Sequence, residues 1–278
     1  MAPLVMASFA EWTYSIVMAI VQGITEFIPI SSSGHLAILD EAFGREAAVD
    51  FYFFLHIPTT IAAVIYFRED IKDFILAWLP KNKETMPAER RTTISLIISL
   101  LVAAVIYLLF SGYLKDFANN LLVLGLMFVV TAILLVSSEQ ALKKMKLKKE
   151  MGELTPVRAM LIGVFQGFAI FPGISRSGAT IAGGLWMGLS RVQATRYSFL
   201  LLIPVVIAGS LRDIVRLFQG SLVLPNAWIL LVSFVLAGVI GYLTIAWMIK
   251  LVSKTSLNWF ALYAVLLGIV LIALYLLA

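Results

Sequence analysis

The sequence contains no cysteine and few charged residues. Without cysteine the chain forms no disulfide bond and has no thiol chemistry. Charged residues make up 13% of its 278 residues, whereas soluble proteins average about 25%. Hydrophobic residues make up 61%, and the mean hydropathy is +0.98. This composition predicts a polytopic α-helical membrane protein.

The N-terminal segment also lacks a basic region, so we expect no cleavable signal peptide there. Several long stretches carry no formal charge, and a spanning helix needs about 20 apolar residues. The stretches predict an all-α fold with six transmembrane helices, at about 51–67, 92–111, 118–137, 196–211, 227–249 and 257–277.

The net charge of +5 is explained by membrane topology rather than by nucleic acid, which we do not expect as a partner. With the N-terminus outside, 16 of the 21 lysines and arginines lie in the inside loops. Those loops are 68–91, 139–158, 189–196 and 250–256. Basic loops stay in the cytoplasm, so the count predicts the orientation.

Residues 21–35, VQGITEFIPISSSGH, are repeated at residues 165–179 as FQGFAIFPGISRSGA. Seven of the fifteen positions are identical at a constant offset of 144. The first copy alone has Glu26, Ser32 and His35, and the second alone has Arg176. One copy thus carries an acid, a hydroxyl and an imidazole, and the other a cation, which suggests that the two halves build one polar site.

Each copy is an apolar segment interrupted by glycine, proline and serine and followed by a short apolar segment. Such a pattern predicts a re-entrant helical hairpin, because irregular backbone at membrane depth is tolerated only inside protein or beside a wet cavity. Similarity continues into LHIPTTIA and LLIPVVIA. We therefore expect a single integral membrane domain over 1–278, with two re-entrant hairpins in an inverted repeat of about 12–71 and 158–214.

The second copy has the features of a phosphate cradle. Arginine offers a planar fork that suits phosphate, and a helix beginning near Ser177 leaves free backbone N–H groups. A structural alternative is an Arg176 that only pairs with Glu26. The expected cradle consists of Gly173, Ser175, Arg176, Ser177, Gly178 and Thr180.

The first copy has the features of a catalytic site. A hydroxyl near an imidazole can be activated as a nucleophile, and Ser32 and His35 share a face if a helix begins near Ser32. Glu26 is suited to orient His35, to act as a base or to bind a cation. Alternatively, His35 itself attacks and becomes phosphorylated while Ser32 orients it, and the sequence does not choose between the two nucleophiles. The structural alternatives are that the serines are ordinary helix caps and that His35 is a satisfied buried histidine. Substrate contacts are expected from Gln22, Ser31 and Ser33. Gln22 and Gln166 either hydrogen-bond to one another across the hairpins or have purely structural roles.

QGITEFIPISSSGH and PGISRSGAT resemble the two signature regions of the bacitracin-resistance type undecaprenyl-pyrophosphate phosphatases. The resemblance covers nearly the whole chain. It implies catalytic roles for Glu26, Ser32, His35 and Arg176. The family usually has a glutamate where this chain has Gln22, so Glu26 is left as the single motif carboxylate. A divalent cation, Mg²⁺ or Ca²⁺, remains open as a cofactor, with Glu26 as its ligand.

The resemblance implies hydrolysis of undecaprenyl pyrophosphate to undecaprenyl phosphate and phosphate, which recycles the cell-wall lipid carrier. Expected partners are this polyprenyl lipid and membrane lipids, and a homodimer stays open. The expected location is the inner (plasma) membrane, with the active site open to the outer, periplasmic face. An alternative of another class is an inverted-repeat transporter or flippase for a lipid phosphate or small anion, with Arg176 as the anion site.

Overall fold

Capping side chains mark the starts of several helices in the computed structural model, which describes residues 8–45, 49–79, 86–113, 120–145, 150–218 and 225–277. Ser8, Asn120 and Asn226 each accept hydrogen bonds from the first turn that follows. Over these residues the chain is helical, without strands. The α-helices are α1 (Phe9–Thr25), α2 (Ser32–Ala42), α3 (Val49–Tyr66), α4 (Arg68–Leu76), α5 (Pro87–Phe110), α6 (Leu121–Lys144), α7 (Pro156–Phe168), α8 (Arg176–Trp186), α9 (Arg191–Phe218), α10 (Ala227–Lys254) and α11 (Asn258–Leu277).

Within the described ranges, five helices are long and apolar enough to cross a membrane: α5, α6, α9 as far as Gly209, α10 and α11. The number rises to six if α3 and α4, which are bent by 66° at their junction, form one span. The all-helical, multi-span architecture expected from the sequence is confirmed. The exact count of six stays a prediction.

Several helices extend beyond the stretches that hydropathy identified. The second expected span, 92–111, begins at Pro87 in the structure, and the third, 118–137, continues to Lys144. The added turns carry glutamate, arginine and lysine, which are good helix formers. Apolarity locates the part of a helix that crosses the membrane, whereas propensity and capping decide where the helix ends.

The duplicated segments form matching helix pairs. Both breaks lie where the sequence predicts them, between α1 and α2 and between α7 and α8. α1 packs against α10, and α7, its counterpart, packs against α5. α6 and α11 lie so close that a Cβ on Gly125 would be 2.8 Å from the carbonyl oxygen of Gly268. The pairings support two related halves, and the inverted orientation remains a prediction.

A buried ion pair joins the second half to α6. Glu139 is fully buried and accepts two 2.6 Å hydrogen bonds from Arg191 at the start of α9. Its Oε1 also accepts one from the backbone N–H of Leu257, just before α11. A buried carboxylate is tolerated when it is paired and hydrogen-bonded in this way. One side chain thereby fixes three segments relative to one another.

Candidate active site

The two helix breaks meet, and an ion pair joins them. Glu26, which is 3% exposed, ends α1, and Arg176 begins α8. Arg176 Nη2 donates to Glu26 Oε1. Next to this pair, Ser177 Oγ donates to the carbonyl of Ile28 at 3.2 Å. The sequence correctly predicts that the two copies build one polar centre.

Glu26 Oε2 gathers the polar groups of the first copy. It accepts a 2.6 Å hydrogen bond from Ser32 Oγ and a 3.0 Å bond from Gln22 Nε2. Gln22 is fully buried, and its Oε1 has no partner among the described residues. The Ser32 hydroxyl is therefore already directed at a carboxylate that can accept its proton.

Ser31 adopts a strained backbone conformation at the start of α2. Its φ is +69°, and it is the one non-glycine residue with a positive φ in the described part of the chain. Its Oγ caps Gly34 N at 3.3 Å and lies 3.4 Å from Ser33 Oγ. A non-glycine residue in this region costs about 1–3 kcal/mol and persists where its surroundings require it.

The ring nitrogens of His35 have partners other than Ser32 and Glu26. Its Nδ1 lies 2.7 Å from the carbonyl oxygen of Ser31, and its Nε2 lies 2.7 Å from the Tyr263 hydroxyl on α11. Among the described residues no hydrogen bond joins His35 to Ser32 or Glu26. The structure thus differs from the expectation that Glu26 orients His35, because Ser31 and Tyr263 occupy both ring nitrogens.

One donor of Arg176 has no hydrogen-bond partner among the described residues. This donor is Nε, which is buried. Leaving a buried donor of a charged group unsatisfied is costly. The structural alternative, in which Arg176 pairs with Glu26, is present, and the unpartnered Nε leaves room for a phosphate role as well.

The remaining residues of the expected cradle divide between site and scaffold. Ser175 Oγ caps Gly178 N at 3.0 Å and lies 3.2 Å from Ser177 Oγ, close to the ion pair. Thr180 instead places its hydroxyl 2.5 Å from Ser198 Oγ on α9. Gly173 has a φ of +91°, and a Cβ there would lie 2.7 Å from Met127, so packing against α6 already requires glycine.

His56 lies in the site although it belongs to neither duplicated motif. From α3, its Nε2 lies 3.4 Å from Glu26 Oε2, while its Nδ1 lies 2.7 Å from the carbonyl oxygen of Tyr52. The available signal was an ionisable residue in an apolar span, which marks a functional candidate. The corresponding residue of the second half is Leu202. Tyr263 had no such signal, because a tyrosine in a spanning helix is ordinary.

No hydrogen bond joins the side chains of Gln22 and Gln166, although the sequence offered such a bond as one possibility. Gln22 bonds to Glu26 in its own hairpin, while the amide of Gln166 is buried without a partner among the described residues.

The site offers few ligands for a metal ion. The described residues contain no group of three or more His, Asp or Glu that could hold an ion. Glu26 and His56 do not by themselves fit a resident cation.

Comparison with known proteins gives a consistent result. The family model described as "Bacitracin resistance protein BacA" matches residues 15–270. "Undecaprenyl-diphosphatase 1" of Corynebacterium jeikeium is 34% identical, with 96% of each chain covered. "Undecaprenyl-diphosphatase" of Mycolicibacterium smegmatis is 35% identical, covering 95% of this chain and 96% of the relative. The protein of the same name from Christiangramia forsetii is 37% identical over 92% of this chain and 95% of its own length.

Proposed function

The chain belongs to the bacitracin resistance protein BacA family, and from that premise we propose that it is an integral membrane undecaprenyl-diphosphatase. It hydrolyses undecaprenyl pyrophosphate to undecaprenyl phosphate and phosphate. Relatives at 34–37% identity that cover nearly the whole chain and are named for this activity favour hydrolysis over the transporter alternative.

The observation that carries the mechanism is a carboxylate shared between the two copies. Glu26 receives the Ser32 hydroxyl on one oxygen and the Arg176 guanidinium on the other. A base, a hydroxyl nucleophile and a cation for phosphate are thereby brought to one buried point. Acid–base and electrostatic catalysis of phosphoryl transfer need these three groups.

Ser32 Oγ attacks the terminal phosphorus as Glu26 Oε2 takes the hydroxyl proton. The bond between this phosphorus and the bridging oxygen breaks, and undecaprenyl phosphate leaves with the bonding electrons and the proton held by Glu26. Water then attacks the phosphoserine, giving its proton to Glu26, which returns it to Ser32 Oγ as phosphate departs. Arg176 stabilises the charge on the transferred group in both steps. Attack by His35 Nε2 is the alternative route, and it requires that Tyr263 first release this nitrogen.

A divalent cation enters this proposal with the substrate. Glu26 is the carboxylate that would approach it, and His56 is the neighbouring imidazole. The pyrophosphate oxygens and water would supply the remaining ligands, since Mg²⁺ commonly binds through one or two carboxylates plus substrate phosphates. The cation would neutralise phosphate charge.

The polyprenyl tail is proposed to lie between spans, facing lipid, in a protein of the plasma membrane whose site opens to the outer, periplasmic face. The distribution of basic loops supports this orientation. All the side chains used above come from one chain, and the homodimer left open by the sequence stays a prediction. Light scattering of the detergent-solubilised protein measures the assembly state.

Phosphate release from undecaprenyl pyrophosphate in detergent tests the function. Glu26→Gln should lower the rate by about 10²–10⁴-fold, the range for loss of a general base. Glu11→Gln, an exposed change on the same helix α1, should retain the wild-type rate. A chelator lane measures the dependence on divalent cations. If folded wild-type protein releases no phosphate, the phosphatase proposal is wrong and transport becomes the leading hypothesis.

A further inference from the structure

The imidazole of His35 is enclosed by partners from three helices. α2 supplies the ring and its backbone acceptor at Ser31, α6 supplies Phe128, and α11 supplies Tyr263. The Phe128 ring stands edge-on at 5.5 Å, whereas the Tyr263 ring is stacked at 5.7 Å with an interplanar angle of 8°. Tyr263 comes from 228 residues further along the chain, and nothing in the proposed mechanism yet uses it.

The two hydrogen bonds determine which nitrogen carries the proton. The Ser31 carbonyl is an acceptor only, so Nδ1 must be the donor at 2.7 Å. In the neutral ring, Nε2 is then the acceptor, and the Tyr263 hydroxyl donates to it at 2.7 Å. With this assignment both ring nitrogens of His35 have a hydrogen-bond partner, although the ring packs against the aromatic side chains of Phe128 and Tyr263.

The hydrogen bond between Tyr263 and His35 lies where a substrate phosphoryl group would have to reach His35 Nε2. Its helix, α11, is one of the candidate spans, and the residue is 44% exposed. A phosphoryl group that reaches His35 Nε2 must take the place of the tyrosine hydroxyl, which then lies within reach of a phosphate oxygen. Tyr263 therefore contacts a residue of the proposed active site and is itself partly exposed.

We propose that Tyr263 is a positioning residue of the active site: its hydroxyl donates to His35 Nε2 and, together with the Ser31 carbonyl on Nδ1, fixes the orientation of the imidazole until a phosphoryl group takes the place of the hydroxyl. The inference rests on the proposed function for its effect on turnover. The contact between the two side chains can be measured without turnover. An experiment with both readouts therefore separates failure of this inference from failure of the proposed function.

The experiment compares wild type, Tyr263→Phe and Tyr275→Phe. The first variant removes the hydroxyl and keeps the stacked ring, and the second removes a hydroxyl from a tyrosine on the same helix with the same 44% exposure. Diethyl pyrocarbonate acylates unprotonated imidazole nitrogens, and the chain has two histidines. Peptide mass spectrometry then follows His35, with His56 as the internal reference. Steady-state phosphate release is measured on the same preparations.

In Tyr263→Phe, labelling of His35 relative to His56 should rise about two- to tenfold, the factor expected for loss of one hydrogen bond. The kcat should fall about tenfold with KM changed by less than about twofold, because positioning is lost while substrate binding is kept. Tyr275→Phe should match wild type in both measurements. An unchanged labelling ratio overturns the inference, and so does increased labelling with an unchanged kcat. If wild type releases no phosphate, the proposed function fails and the labelling ratio alone decides whether Tyr263 caps His35.

Discussion

At the first hairpin tip Ser31 Oγ accepts a hydrogen bond from Gly34 N, and at the second tip Ser175 Oγ accepts one from Gly178 N. The capping bonds are equivalent, yet the backbone differs: φ is +69° at Ser31 and −71° at Ser175. Ser175 O accepts the ordinary helical bond from Ala179 N at 2.8 Å. The strain is thus confined to the tip that carries the imidazole.

The difference in φ between Ser31 and Ser175 coincides with a difference in what the two backbone carbonyls bind. Ser31 O accepts both the backbone N–H of His35, at 3.2 Å, and its side-chain Nδ1, at 2.7 Å. Ala179 has no side-chain donor, so Ser175 has no second bond to accept. The first tip therefore combines a strained backbone with a doubly bonded carbonyl that holds His35, whereas the second tip combines a relaxed backbone with Arg176.

The largest expected effect concerns the hydroxyl that only the first tip has. Ser32→Ala should lower phosphate release by about 10³-fold or more, because it removes the proposed nucleophile. Ser253→Ala, an exposed change at the end of α10, is the control and should leave the rate unchanged. Turnover retained in Ser32→Ala would remove the serine from the mechanism and favour His35.

A second test addresses the Arg176 guanidinium, which has no counterpart at the first tip. Arg176→Lys should lower kcat/KM by about 10²-fold, because lysine keeps the charge but lacks the planar fork for Glu26 and phosphate together. Arg196→Lys provides a matched control, since Arg196 also pairs with a carboxylate, Asp70, and has similar side-chain exposure. A normal rate and KM in Arg176→Lys would contradict the phosphate-cradle role.

Gln22→Glu sharpens the comparison by placing a second carboxylate beside Glu26. Gln22 Nε2 lies 3.0 Å from Glu26 Oε2, and two carboxylates this close repel each other. Phosphate release should fall about tenfold without divalent cation and recover when Mg²⁺ is added, since the pair then has a counter-ion. Gln140→Glu, an exposed change on α6, should show no such dependence. A Mg²⁺ response equal to wild type would argue against cation binding here.

The smallest expected effect is on stability. Glycine adopts positive φ without strain and costs only a few tenths of a kcal/mol as a helix cap. Ser31→Gly should therefore raise the apparent melting temperature by about 2 °C, whereas Ser175→Gly should lower it. Thermal unfolding in detergent measures both changes. Equal shifts in the two variants would show that the positive φ of Ser31 stores no strain.

The sequence predicts those parts of the site that are duplicated. Comparing the copies locates both breaks and isolates Glu26 and Arg176 as residues that differ between them. Their meeting follows from the physics of the membrane, because a buried carboxylate and a buried guanidinium each need a partner. The contact between the two copies is therefore predictable from the amino-acid sequence alone.

The missed contributions come from outside the duplicated motifs. His56 and Tyr263 reach the site from α3 and α11, and no local pattern states which face of a spanning helix is turned to a distant residue. Likewise, nothing in the three consecutive serines indicates that Ser31 alone has positive φ. These features depend on tertiary packing, which short motifs do not encode.

The Glu26–Arg176 contact, which spans 150 residues, also affects how the protein is made. At a synthesis rate of about 5–20 residues per second, the partner cation emerges roughly 8–30 s after the carboxylate. During this interval the nascent first half enters the bilayer with an acid whose final counter-charge does not yet exist. A chain truncated before the second hairpin should therefore be less stable in the membrane than the full chain, because Glu26 lacks Arg176.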